Sequence, residues 1–357
     1  MPGKATGRTP RTGGAKGARR NLSGTGNSRR PGRTGRWQPA QPRRLAGGGI
    51  RNPVAGRARR MPLAQVPQRV ALDDRGIGGD QVEGRRSVLE LLACGRRNVQ
   101  VVFMEEGLEP SPILEDIESL TRKRHIRLIE LPPVKMEQEA LSQSYQGVIA
   151  RAAPLELYTI DDLAMGVVPS SIPFPAASWA SASAQPVTRS ARAIPFLVLL
   201  DGITDPHNLG SILRSAECAG ATGIVLPRHR SARITAVATK AASGAVEHLN
   251  FALVGGIPAT LMELEKMGVQ TVGFDSAART SLYDVSTSPS DPVALVFGSE
   301  GKGLSQLTKR RCSVLVSIPQ YGQIDSLNVA AAAAVGLSHV ARVRSRIVRT
   351  TSSATLE

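Results

Sequence analysis

Apolar positions recur in two different patterns along the chain, and the difference divides it. Over residues 84–94 and 113–124 they return every three to four residues, the period of an amphipathic helix. Residues 98–103, 126–131 and 146–150 are instead short apolar runs of the kind that form strands. These five elements predict a small α/β domain over residues 80–155. From residue 193 onward the strand signal changes character. Residues 195–201 (Pro195-Phe-Leu-Val-Leu-Leu-Asp201) are almost wholly apolar, as expected of a strand buried on both faces, and 223–226, 270–274, 293–297 and 313–318 repeat the pattern. Helical stretches at 209–219, 236–246, 257–267, 305–311 and 327–346 fall between them. Strands alternating with helices predict an α/β domain with a parallel sheet over residues 193–347. Residues 165–192, rich in Pro, Ser and Ala with little periodicity, read as the linker between the two.

Outside these segments the pattern fades. Residues 1–78 are rich in Gly, Arg, Pro, Ser and Thr, with too few apolar positions for a core, and read as a disordered tail; residues 348–357 read as a disordered C-terminus. Charge sharpens this division. The net charge is +16, yet 17 of the 45 basic residues and none of the 29 acidic ones lie in residues 1–72, which leaves 28 basic against 29 acidic in the remainder. The folded body is therefore close to neutral. A long like-charged block favours RNA phosphates, held through counterion release; a purely solubilising extension is the plainer alternative. An Arg-rich, acid-free start also fits a mitochondrial transit peptide, against which its Gly and Pro residues interrupt any amphipathic helix. No apolar run approaches the roughly 18 residues of a membrane span. Cys94, Cys218 and Cys312 are too scattered for a metal site or a disulfide framework, which fits a reducing, cytoplasmic setting.

Candidate chemistry sits where three expected strands end. Ligands of open parallel sheets bind at the carboxyl ends of strands. After Asp201 comes Gly202-Ile-Thr-Asp-Pro-His-Asn208, leading to Arg214. After Phe297 comes Gly298-Ser-Glu-Gly-Lys-Gly303, and after Ile318 comes Pro319-Gln-Tyr-Gly-Gln-Ile-Asp-Ser-Leu-Asn328. Singly, each has an ordinary structural explanation. The glycine segment matches neither a P-loop nor a Gly-x-Gly-x-x-Gly dinucleotide pattern and could be a strand-to-helix turn. Asp205-Pro206 could be a turn and cap, with His207 beside it either a turn residue or a contact to RNA. Asp325-Ser326 could cap the last helix. Together, the fold brings all three to one edge. Asn208, Glu300, Ser326 and Asn328 offer hydrogen-bonding groups, and Arg214 can fork onto a phosphate. No metal cluster and no nucleophile motif is present, so the chemistry that fits is positioning of a hydroxyl against a reactive cofactor.

The order and spacing of Asn208-x5-Arg214, Gly298–Gly303 and Ile318-Pro-x6-Ser326-Leu-Asn328 resemble the three motifs of SpoU-type (TrmH-like) RNA 2′-O-ribose methyltransferases of the SPOUT superfamily. The resemblance covers roughly residues 80–346, and the text from Asp201 to Gly210 is closest to the branch that methylates a guanosine ribose in 23S ribosomal RNA. It implies a sheet whose C-terminal segment forms a deep trefoil knot, which topology rules alone would not suggest. It also implies a small N-terminal substrate-binding domain and a homodimer with the site at the interface, where the closely packable Ala330–Ala334 run, otherwise only good helix former, would serve. S-adenosylmethionine would lie in the knot against backbone near Gly298, Ile318 and Leu327. Arg214 would hold an RNA phosphate and help remove the hydroxyl proton, Asn208 and Asn328 would orient the ribose and the loops, and Glu300 and Ser326 would support the site or serve structure alone. The long tail, the extended linker and Gln323-Ile-Asp325 depart from the family pattern; the last bears on which nucleotide is methylated. The alternatives are a transfer-RNA or other ribosomal-RNA ribose methyltransferase and a non-catalytic RNA-binding or ribosome-assembly protein on the same fold.

Overall fold

The computed structural model describes residues 77–167, 193–286, 288–324 and 326–353, with side chains to residue 345. The basic tail up to residue 76, the linker from residue 168 to 192, Thr287, Asp325 and residues 354–357 lie outside the described residues.

The N-terminal part runs β1 (Gln81–Glu83), α1 (Arg85–Cys94), β2 (Val99–Glu105), α2 (Pro112–Lys123), β3 (Arg127–Leu131), α3 (Pro133–Glu139) and β4 (Val148–Ala152). Its sheet has the order β1-β4-β2-β3, with β2 and β3 parallel and β4 antiparallel to both neighbours. α1 and α2 put their apolar stripes on this sheet, burying Val88, Leu91, Leu92, Leu114 and Ile117. The strand β1 was not expected from the sequence because two of its three residues are polar. Gln81 and Glu83 are nonetheless buried, and they bond to each other at 2.7 Å (Nε2 to Oε1). Glu83 also accepts the Ser142 N–H at 3.0 Å. α3 and the short α4 (Ile160–Ala164) are likewise additions.

The second part runs β5 (Phe196–Asp201), α5 (Pro206–Cys218), β6 (Gly223–Pro227), α6 (Ala236–Ala241), a 3-10 turn (Ala245–His248), β7 (Phe251–Val254), α7 (Ile257–Lys266), β8 (Gln270–Phe274), β9 (Thr280–Ser281), a second 3-10 turn (Leu282–Asp284), β10 (Val293–Gly298), α8 (Gln306–Arg311), β11 (Val314–Ser317) and α9 (Val329–Ser353). All neighbours in its sheet are parallel, in the order β7-β6-β5-β10-β8-β11-β9. The five apolar runs all form strands. β5 and β10 lie at the centre, Leu197 and Leu199 packing on the α7 side while Val198 and Leu200 pack on the α5 and α9 side.

β7 and β9 were not expected, and two of the expected helices end elsewhere. The helix expected over 236–246 stops at Ala241, because Ser243 and Gly244 take positive φ (51° and 85°) and turn the chain into the 3-10 segment. α9 carries on to Ser353, past the boundary expected at residue 347. Among the described residues no helix is long and apolar enough to cross a membrane.

The turn after α6 faces the N-terminal part, and a polar seam closes the two sheets together. Arg97 and Glu247 form a 2.9 Å ion pair with both side chains about 1% exposed. Arg97 also donates from Nη2 to the Gly79 carbonyl at 2.6 Å, and Arg96 donates to the Leu249 carbonyl (2.8 Å) and to Asn250 Oδ1 (3.0 Å). Burial pushes the Glu247 carboxyl up, against the pull of Arg97. Removing one partner of such a pair strands the other in low dielectric. Arg97→Ala is therefore expected to lower the stability of the chain by about 3–5 kcal/mol in urea denaturation, while the paired replacement Arg97→Met with Glu247→Leu loses much less. Equal losses in both would show that the seam acts through packing and not through charge.

Candidate active site

Three loops reach the site because three parallel strands, β5, β10 and β11, end at the same sheet edge. After β5 the chain turns into α5, whose N-cap is Asp205: its Oδ1 accepts the His207 N–H at 2.9 Å, with Pro206 in the first turn. The His207 N–H and then the Asn208 amide hold the Asp205 carboxyl below the usual carboxylate range. Asp205 thus has the capping role that its sequence context allowed. It also places Asn208 on the first turn of α5, facing the end of β10.

There the segment 298–303 folds into a tight turn. Ser299 N–H donates to the Gly303 carbonyl at 3.1 Å and Gly303 N–H returns to the Ser299 carbonyl at 2.8 Å. Gly298 is the one position where the turn excludes a side chain: an added Cβ would lie 2.1 Å from the Gly303 carbonyl carbon. At the base of the turn Asp201 accepts the Thr308 hydroxyl at 2.6 Å, fixing α8 beneath it.

The third loop ends at Asn328, whose Oδ1 accepts the Ala330 N–H at 2.8 Å and so starts α9. The cap that the sequence offered to Asp325-Ser326 belongs to Asn328. The same residue donates through Nδ2 to Asn208 Oδ1 at 3.1 Å, and Asn208 donates through its own Nδ2 to Glu300. One residue from each motif therefore meets in a single hydrogen-bonded row.

Beside this row lies a cavity of about 550 Å³, within the range of small-molecule sites. Gly298, Glu300, Ile318, Ser326, Leu327 and Asn328 all line it. Its apolar wall is Phe274 stacked on Phe297, ring centroids 4.4 Å apart. Its polar wall includes an ion pair not singled out from the sequence, Lys309 to Asp275 at 2.6 Å. Burial raises the Asp275 carboxyl, but Lys309 and the Ala277 N–H outweigh it and hold the group low. The available sequence signal was its position, a carboxylate directly after β8 at the same sheet edge.

Arg214 is not brought into this cavity. Six residues along α5 from Asn208 amount to about 240° of rotation and about 9 Å of rise. It is exposed and donates to Ser243 Oγ at 3.2 Å, at the turn that follows α6.

Residues 195–338 match the SpoU rRNA Methylase family, and residues 81–158 match the family described as RNA 2′-O ribose methyltransferase substrate binding. A Bacillus subtilis relative named as a putative TrmH family tRNA/rRNA methyltransferase, YacO, is 34% identical over 75% of this chain and 97% of its own length. The chain belongs to the SpoU family of RNA methyltransferases. A second relative, the 23S rRNA (guanosine-2′-O-)-methyltransferase RlmB of Ralstonia nicotianae, is 32% identical over 73% of this chain and 95% of its own. Among solved structures, the SpoU methyltransferase AviRb from Streptomyces viridochromogenes, crystallised with AdoMet, superposes with a TM-score of 0.56 at 22% identity, covering 74% of this chain and 90% of its own. An RNA 2′-O ribose methyltransferase gives the same score, 0.56, at 22% identity over 74% and 88%. Both likenesses speak for the fold.

Within this SpoU chain the turn at Gly298 is the most sterically demanding element of the site. Gly298→Ala is expected to destabilise the chain by about 1–3 kcal/mol in thermal denaturation, because backbone and not a flexible side chain must give way. An unchanged melting temperature would mean that the turn is looser than its contacts indicate.

Proposed function

We propose that the chain methylates a ribose 2′-hydroxyl in RNA with S-adenosylmethionine, and that its substrate is a guanosine of 23S ribosomal RNA. The observation that carries this reading is the row Glu300–Asn208–Asn328 at the rim of a cavity lined by the second and third motifs. Family membership and the guanosine-specific name of the Ralstonia relative support the substrate class.

The residues present fit the cofactor. The cavity has an apolar wall for a nucleobase, and the Leu327 N–H makes no main-chain hydrogen bond among the described residues. Backbone at Gly298, Ile318 and Leu327 would hold it, and when bound it supplies an electrophilic methyl group. The protein's own residues then have separate tasks. Asn208 and Asn328 fix the loops and orient the ribose; Glu300 and Ser326 support them. A guanidinium donates hydrogen bonds and is not a base, so Arg214 acts by holding an RNA phosphate beside the hydroxyl and stabilising the charge that develops on its oxygen, while the proton passes by way of the phosphate oxygen to solvent.

The distance of Arg214 from its own cavity favours a homodimer in which it serves the partner's site. A trefoil knot suits the order of the sheet, in which β10 enters between β5 and β8 and α9 then returns to pack on α5. The basic tail supplies sequence-independent attraction to RNA, since the body is nearly neutral. The working compartment is the cytoplasm.

The experiment is methyl transfer from labelled S-adenosylmethionine to ribosomal RNA of a strain lacking the enzyme, followed by nucleoside analysis. Label is expected on the ribose of guanosine. Arg214→Ala is expected to abolish transfer with cofactor affinity unchanged. Co-expression of Arg214→Ala with Asn328→Ala chains is expected to restore about a quarter of the activity, as random pairing leaves one complete site in half of the dimers. Cofactor binding by the wild type without transfer to RNA would overturn the assignment, and no recovery in the mixed dimers would place Arg214 in its own subunit's site.

A further inference from the structure

A second cavity, of about 880 Å³, shares the 299–303 turn with the cofactor cavity as a common wall. Its other walls are the segments that leave β5, β6 and β7, at Thr204, at His229 and Arg230, and at Gly255 and Gly256. It therefore opens at the same carboxyl edge of the sheet, one strand further along.

Its lining carries three basic side chains beside two carboxylates. His229, Arg230 and Lys302 line it, and none of them has an acidic partner among the described residues. The two carboxylates keep their charge but are turned to other partners, Asp201 accepting from the Thr308 hydroxyl and Glu300 from the Asn208 amide, so neither pairs with the three basic groups. The loop that carries His229 and Arg230 is held in place. Arg228 N–H donates to the Val254 carbonyl at 2.8 Å and Ala232 N–H to the Ile203 carbonyl at 2.6 Å. Between these anchors Arg230 sits at φ 59°, a conformation that costs energy for any residue with a side chain. Gly256 caps α7 with no side chain, so the first-turn N–H groups add to the positive field.

We propose that this second cavity receives the acceptor nucleotide of the RNA, swung out of its stack, with its phosphate on Arg230, His229 and Lys302 and its ribose against the shared 299–303 turn. The assignment rests on the methyl-transfer reading above and adds where the substrate lies. Because Ser299, Glu300, Lys302 and Gly303 line both cavities, a nucleotide held in one lies next to a methyl donor held in the other, and the 2′-hydroxyl would reach the methyl group past the edge of this turn. Phosphate contacts fix register without reading sequence, and the bare backbone at Gly255 and Gly256 leaves room for a base.

Two variants test it. Nothing lies within 4 Å of a Cβ built on Gly255, and its φ is outside the left-handed region, so Gly255→Leu fills the cavity without straining the backbone. Arg230→Ala removes a phosphate contact. S-adenosylmethionine affinity is expected to stay within about twofold of wild type in both. The KM for ribosomal RNA is expected to rise about tenfold in Arg230→Ala, and kcat to fall by at least that factor in Gly255→Leu. RNA affinity is read separately, by anisotropy of a labelled ribosomal RNA fragment, and is expected to drop in both variants. Wild-type kinetics and unchanged RNA affinity in both overturn the assignment. So does a parallel loss of cofactor affinity, which would make the cavity part of the cofactor site. A wild-type chain that binds the RNA fragment in this cavity but transfers no methyl group overturns the methyl-transfer reading instead.

Discussion

The side-chain amide of Asn208 is the constraint on which the site depends. It is one planar group with a donor at one end and an acceptor at the other, and both ends are used: Nδ2 toward Glu300, Oδ1 from Asn328. An aspartate could not donate to a carboxylate and a serine could not reach both partners, so the residue type follows from the geometry. Through Glu300 the amide holds the 299–303 turn, which walls both cavities. Through Asn328 it is tied to the cap of α9, and α9 in turn packs on α5, the helix that carries Asn208. Loop, cap and helix therefore hold one another, and the Asp205 cap sets the starting angle.

A second, independent constraint fixes the N-terminal part to this frame. The Arg97–Glu247 pair is almost fully enclosed, and Arg96 bonds to backbone that leads into β7. A seam of charged hydrogen bonds is directional where an apolar contact is not. The charge is divided just as sharply, between a near-neutral body and a strongly basic N-terminal stretch.

Much of this was legible in the sequence, for physical reasons that differ by element. β5 and β10 are buried on both faces, so their continuous apolar text could hardly mean anything else. β1 was hidden because Gln81 and Glu83 are buried but mutually satisfied, the opposite of the alternation that marks a strand. β9, with two residues, was too short to stand out, β7 was missed although it is as long as β11, and the break after Ala241 depends on a turn that fits against α1 across the seam. In the site, the three strand-end motifs were visible, and Asn208, Glu300 and Asn328 do meet. The ion pair of Asp275 and Lys309 was not visible, because its members come from different strand–helix units. The placement of Arg214 away from Asn208 was readable in principle, since a spacing of six turns a helical residue off the face.

The Asn208 amide makes one unit of the three motifs, beside the cavity that the second and third of them line. A double-mutant cycle on S-adenosylmethionine affinity, measured by calorimetry for Asn208→Ala, Asn328→Ala and the pair, tests this most directly. Each single change is expected to weaken binding by about tenfold, and the pair to be hardly worse than either, because both break the same unit. Losses that multiply in the double variant, or affinities that stay at the wild-type value, would contradict it.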